Sequence, residues 1–115
     1  MKHEESQAQE AVVRWLQMQY SKVLFTGGFA GEKLRPQQAI RRKKMGYRAG
    51  SPDLLILAKR LDYGALLVEM KAMKGTISPA QREFHAAATA NGYKVIICYG
   101  FESARLQIQD YLEIK

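Results

Sequence analysis

A single cysteine, Cys98, stands among the 115 residues, and a lone thiol excludes an internal disulfide. Histidine is nearly as scarce. With only His3 and His85 beside that cysteine, a closed Cys/His zinc centre lacks ligands. Both shortages point to a reduced, cytoplasmic compartment. Long apolar runs are missing too: "LLIL" and "ALLV" fall far short of the roughly 20 residues a membrane span needs. The opening "MKHEESQAQE" is polar and acidic, unlike a secretory leader. No repeat, low-complexity tract or linker is visible, and residues 1–115 are expected to form one domain. A chain of this size buries about two-thirds of its unfolded surface, enough for one modest core.

What is present is ordinary for a soluble globular chain, with 47% hydrophobic and 25% charged residues. The charge balance is less ordinary. Net charge is +7 and the excess is local: Lys33, Arg35, Arg41, Arg42, Lys43, Lys44 and Arg48 face one acid, Glu32. Such a cluster draws polyanions by counterion release, and nucleic acid is the default polyanion of a cytoplasm. A solvated helix face that keeps the protein soluble would carry the same charges.

Residues 4–19 read as an amphipathic helix whose inner stripe is Ala8, Val12, Trp15, Leu16 and Gln19. Glu5 and Gln9 continue that stripe toward the N-terminus, an odd place for polar groups. Residues 22–26 form a short β-branched and aromatic strand, followed by "GGFAGEKLRP", a glycine-rich loop expected to be mobile. Pro36 suits the first turn of a second helix that carries "RRKK" and ends near Met45, with Gly46 as its stop. Residues 53–58 and 65–72 are strands, apolar on both faces over most of their length and so expected at the centre of the sheet. Ser78 as N-cap, Pro79 and Gln81 begin a third helix that runs to Asn91 with Ala80, Phe84, Ala87 and Ala88 inward. "YKVIICY" is a further strand and residues 102–112 a last helix. The order α-β-α-β-β-α-β-α predicts an α/β fold, a mixed sheet of four strands flanked by helices.

Two acids and an amine interrupt the central strands. Side chains alternate along a strand, so Glu69 and Lys71 project from one face and Met70 from the other. Asp53 opens the neighbouring strand directly after Pro52, which fixes the local backbone. If the strands pair, the trio meets at one corner of the sheet. A buried carboxylate costs several kcal/mol of desolvation, and two together also repel. A hard divalent cation answers both problems, and oxygen ligands favour Mg²⁺ or Mn²⁺ over zinc. Each residue also has a plainer reading. "SPD" makes a good turn, and Glu69 with Lys71 would serve as a same-face ion pair at a solvated strand end.

"GSPDLLIL", "LLVEMK" and "SPAQREFH", taken with the basic segment ending in "MGYRAGSPD", resemble the PD-(D/E)xK nuclease core. The resemblance is specifically to its VRR-NUC branch, the virus-type replication-repair nucleases. It spans residues 5–112 and implies a restriction-endonuclease-like core. By that resemblance Asp53 and Glu69 would bind the metal, Lys71 would be the catalytic lysine, and the Met70 main-chain carbonyl would be a further ligand. Gln81 would sit beside the lysine and help hold the site. Ser78-x-x-Gln81 also spells a capping box, and one amide is not expected to serve both duties fully. For a further metal-binding carboxylate, from the N-terminal helix, Glu4, Glu5 and Glu10 compete. Glu5, one turn before Gln9 on the inward stripe, is the choice, with Gln9 beside it, whereas Glu10 falls toward solvent. Acids at a helix N-terminus also serve its dipole, which applies to Glu4 and Glu5 alike. His85 lies one position past the inner stripe and reads as a boundary residue rather than a ligand. Trp15 reads as core and Cys98 as an inert small apolar side chain.

The function this implies is a Mg²⁺- or Mn²⁺-dependent DNA endonuclease of a bacterial or phage-infected cell that leaves a 5′-phosphate and a 3′-hydroxyl. The basic residues would contact sugar-phosphate without reading sequence. Minimal members of the branch resemble junction-resolving homodimers, so branched DNA, a Holliday junction above all, and a two-fold dimer with exchanged elements are the expected partners. The competing readings are a non-catalytic nucleic-acid-binding module on the same fold and a nuclease of flap, linear duplex or RNA.

Overall fold

In the computed structural model residues 3–28 and 34–115 are described. Eight elements follow in chain order: α1 (His3–Gln19), β1 (Phe25–Gly27), α2 (Pro36–Lys44), β2 (Leu54–Ile56), β3 (Leu66–Lys71), α3 (Pro79–Ala90), β4 (Lys94–Tyr99) and α4 (Phe101–Leu112). Type and order agree with the sequence reading, although the first three strands are shorter than expected. Residues 29–33 of the glycine-rich loop, Glu32 and Lys33 among them, lie outside the described residues.

The four strands lie in the order β1-β2-β3-β4. β1 with β2 and β2 with β3 are antiparallel, while β3 and β4 are parallel. A parallel neighbour cannot be reached by a hairpin, so the chain crosses over through α3. Alternation along β3 then sorts the layers. Leu66, Val68 and Met70 enter the larger core with Val12 and Leu16 of α1 and Ala104, Ile108, Tyr111 and Leu112 of α4. Leu67 turns to the other face, where Ala88 and Phe84 of α3 close a smaller cluster. Glu69 and Lys71 have the parity of Leu67 and face α3.

Local chemistry explains the boundaries. Ser78 Oγ accepts from the Gln81 amide and Pro79 occupies the first turn, so α3 starts sharply. Tyr111 is buried because its hydroxyl donates to the Ala58 carbonyl at 2.6 Å. One expectation differs. Gln19 is exposed, since the buried stripe of α1 stops at Leu16. α2 has no buried residue and packs on no other described helix or strand, leaving Ile40 and Met45 exposed.

Candidate active site

Asp53 sits one residue before β2, where the β2–β3 register, with Leu54 opposite Val68, leads toward Glu69. Its N–H donates to the Val68 carbonyl at 3.0 Å. Its Oδ2 accepts from the Met70 N–H at 2.7 Å, so the side chain takes the place of a ladder carbonyl. Two glycines hold this stretch. A Cβ on Gly28 would stand 2.3 Å from the Pro52 carbonyl oxygen, and Gly28 N–H donates to the Asp53 carbonyl at 3.0 Å. Gly50 has φ +86°, and a Cβ there would stand 2.2 Å from the Ala80 carbonyl oxygen. The "GSPD" turn is therefore pressed against the first turn of α3.

Glu69 is only 1% exposed and Asp53 3%. The two carboxyl groups act on each other's titration. From α3, Gln81 Nε2 donates to Glu69 Oε2 at 3.1 Å, and His85 Nε2 lies 3.3 Å from Oε1. Burial, then the hydrogen bond and charge of Asp53, push the Glu69 pKa up to about 9. Burial also raises Asp53, against the hydrogen bonds from Glu69 and the Met70 N–H. With no cation beside it, the pair therefore keeps one proton at neutral pH. Lys71 is half-buried, and its charge lowers both carboxyls. His85 is pushed down by burial and then by Lys71, which favours the neutral imidazole.

The residues singled out in the sequence meet to different degrees. Gln81 touches Glu69, Asp53 is held to the neighbouring Met70 N–H, and Lys71 shares the strand face of Glu69. One amide serves both duties of Gln81, contrary to expectation: Oε1 accepts from the Ser78 N–H at 2.9 Å while Nε2 reaches Glu69. Opposite ends of a primary amide act independently, which is why cap and site do not compete. Met70 buries its side chain in the core while its N–H is held by Asp53. Glu5 Oε1 accepts from the Ala72 N–H at 3.1 Å, and Glu4 Oε1 from the Met73 N–H at 3.3 Å. Both tie α1 to the chain just after Lys71, whereas Glu10 is exposed. Glu5 adds negative charge to both buried carboxyls, yet no three His, Cys, Asp or Glu side chains among the described residues form one ligand cluster. Gln9 Nε2 donates to the Asp53 carbonyl at 3.4 Å, while its buried Oε1 has no partner.

Arg35, Arg41, Lys43 and Lys44 are exposed and Arg42 is half-buried. Arg48 places its guanidinium 5.5 Å from the Phe84 ring centre. His85 is the group that sequence reasoning passed over. The available signal was its spacing, four residues after Gln81 and so on the same helix face. Farther along the α3 face, Leu55, Leu57, Leu67, Phe84 and Tyr93 line a groove of about 350 Å³ that contains no acid.

The donor set suits one kind of ion. Two buried carboxyl groups, with the unpartnered oxygen of Gln9 near Asp53, offer hard oxygens only. Mg²⁺ and Mn²⁺ accept one or two carboxylates and fill their remaining positions with water and phosphate oxygens.

A family model, that of the VRR-NUC domain, matches residues 3–102. Among solved structures, one titled "VRR_NUC domain protein" aligns with a TM-score of 0.78 at 27% identity, covering 99% of this chain and 92% of that one. No curated protein matches. Among the described residues, no helix is long and apolar enough to cross a membrane.

Proposed function

The chain belongs to the VRR-NUC domain family, and on that premise we propose that it is a Mg²⁺- or Mn²⁺-dependent, structure-selective DNA endonuclease acting on branched duplexes such as four-way junctions. One observation carries the reading: two carboxyl groups, of Asp53 and Glu69, almost fully buried on neighbouring strands, with a lysine on the same strand face as the glutamate. A binding module gains nothing from a desolvated acid pair that repels phosphate.

Asp53 and Glu69 would hold the ion, with the Met70 carbonyl as a further ligand by family resemblance. When bound, the ion supplies charge neutralisation at the scissile phosphate and a more acidic water. The chain's own residues do the rest. Gln81 holds Glu69 in place, and Glu5 fixes α1 against the chain leaving the site. Lys71 orients the attacking water or stabilises the negative charge that grows on the phosphate. The products would be a 5′-phosphate and a 3′-hydroxyl. Arg41, Arg42, Lys43, Lys44 and Arg48, with Lys33 and Arg35, would bind sugar-phosphate and set orientation.

A homodimer suits a junction, whose two-fold symmetry calls for paired cuts. That α2 packs on no other described helix or strand supports a second copy meeting it there. The experiment is incubation of four-way-junction, flap, linear duplex and RNA substrates with Mg²⁺, Mn²⁺ or EDTA, with cut sites mapped. Symmetric junction cuts that vanish in EDTA and in Lys71→Ala are expected. Tight binding without cutting under any metal would instead indicate a binding module.

A further inference from the structure

We propose that His85 is a positioning residue for Glu69, forming with Gln81 a two-donor clamp that α3 applies to the metal-binding carboxyl. The inference rests on the nuclease reading above. Gln81 and His85 lie one helical turn apart on a single face, so their donors reach one carboxyl group from one side. Each takes a different oxygen, Oε2 at 3.1 Å and Oε1 at 3.3 Å. The imidazole is 12% exposed and the Glu69 side chain 2%, so little water competes. The last torsion of a glutamate is broad when nothing holds it, and two points of contact fix its plane. A carboxylate offers about four lone-pair sites; the clamp occupies one per oxygen and leaves the others for a cation.

The chemistry also explains why a neutral donor suits position 85. Lys71, on the same strand face as Glu69, already supplies one positive charge there. A second cation there would oppose both Lys71 and the incoming metal, whereas an imidazole N–H satisfies the oxygen without adding charge. Packing of α3 on the sheet is meanwhile carried by Phe84 and Ala88. The histidine is thus free to face the acid.

Calorimetric titration of Mn²⁺ into the wild-type chain, His85→Gln and His85→Leu, with thermal melts in EDTA, tests the assignment. Glutamine returns an N–H near the position of Nε2; leucine keeps the bulk and removes the donor. The leucine variant is expected to weaken Mn²⁺ binding about 10- to 100-fold, while the glutamine variant stays close to wild type. In cleavage, half-saturating Mn²⁺ should rise by the same factor while the rate at saturating Mn²⁺ changes little, a split that mere loss of structure would not give. Unchanged affinity in the leucine variant, or equal weakening in both, overturns the role. If the leucine variant does not melt cooperatively, His85→Asn replaces it, its amide being too short to reach Glu69, and the same outcomes decide. A wild-type chain that takes up no Mn²⁺ overturns the nuclease reading and the clamp together. Wild-type uptake with indistinguishable variants overturns the clamp alone.

Discussion

Loading the site with a cation should release a proton, and the structure sets the scale of the effect. Burial and then Asp53 push the Glu69 pKa up to about 9, so the metal-free pair should keep one proton at neutral pH. A divalent ion must displace it, so apparent affinity should rise about tenfold per pH unit up to about pH 9. At pH 7 the penalty is then on the order of 100-fold relative to the deprotonated pair. The same shift has a sign for stability. The folded chain holds a proton that the unfolded chain has lost between the ordinary value of 4.5 and about 9. Metal-free stability contributed by this group is therefore lost as pH rises across that window, and stabilisation by Mn²⁺ grows over the same range. Calorimetry at about pH 6.5, 7.5 and 8.5, in buffers of different ionisation heat, reads both affinity and proton count. About one proton per cation is expected. An affinity independent of pH, with no buffer-dependent heat, would refute the reasoning, because it would mean the pair is already fully ionised.

Three further expectations are open to direct measurement. Lys71→Ala should lower junction cleavage by at least about 100-fold while leaving DNA binding in EDTA and the thermal melt near wild type, as gel-shift and melting assays would show. Gly50→Ala should destabilise by more than about 2 kcal/mol in urea titration, because it adds a Cβ at positive φ against the Ala80 carbonyl. Joint replacement of the exposed Arg41, Lys43 and Lys44 by alanine should flatten the plot of log binding constant against log salt by about one unit for each phosphate no longer neutralised, with little change in sequence preference.

How legible the fold was depended on which signals repeat. The run "LLVEMK" is two-sided and apolar, so its central place in the sheet could be read, and its alternation assigned Glu69 and Lys71 to one face. Ser78, Pro79 and Gln81 gave the start of α3 because capping is local chemistry. Shorter elements were blurred, since three residues of β1 offer no period to count and its limits depend on pairing with Leu54 to Ile56. Gln19 was misplaced because helical spacing continues past Leu16, the last buried residue of that stripe. His85 escaped for a related reason. An apolar stripe registers residues that face a core, and this one faces a buried acid. The double use of Gln81 depended on which end of the amide pointed where, which spacing alone does not encode. The separation of α2 from every other described element is likewise tertiary information.

The bond from the Met70 amide to the Asp53 carboxylate bears on how an inactive version of this protein should be made. That carboxylate also stitches the end of one strand to the next, so an alanine there would loosen the sheet margin and remove the ligand in a single stroke. Absence of cutting in such a variant would confuse poor assembly with missing chemistry. The lysine, whose side chain no strand pairing depends on, makes the cleaner blank.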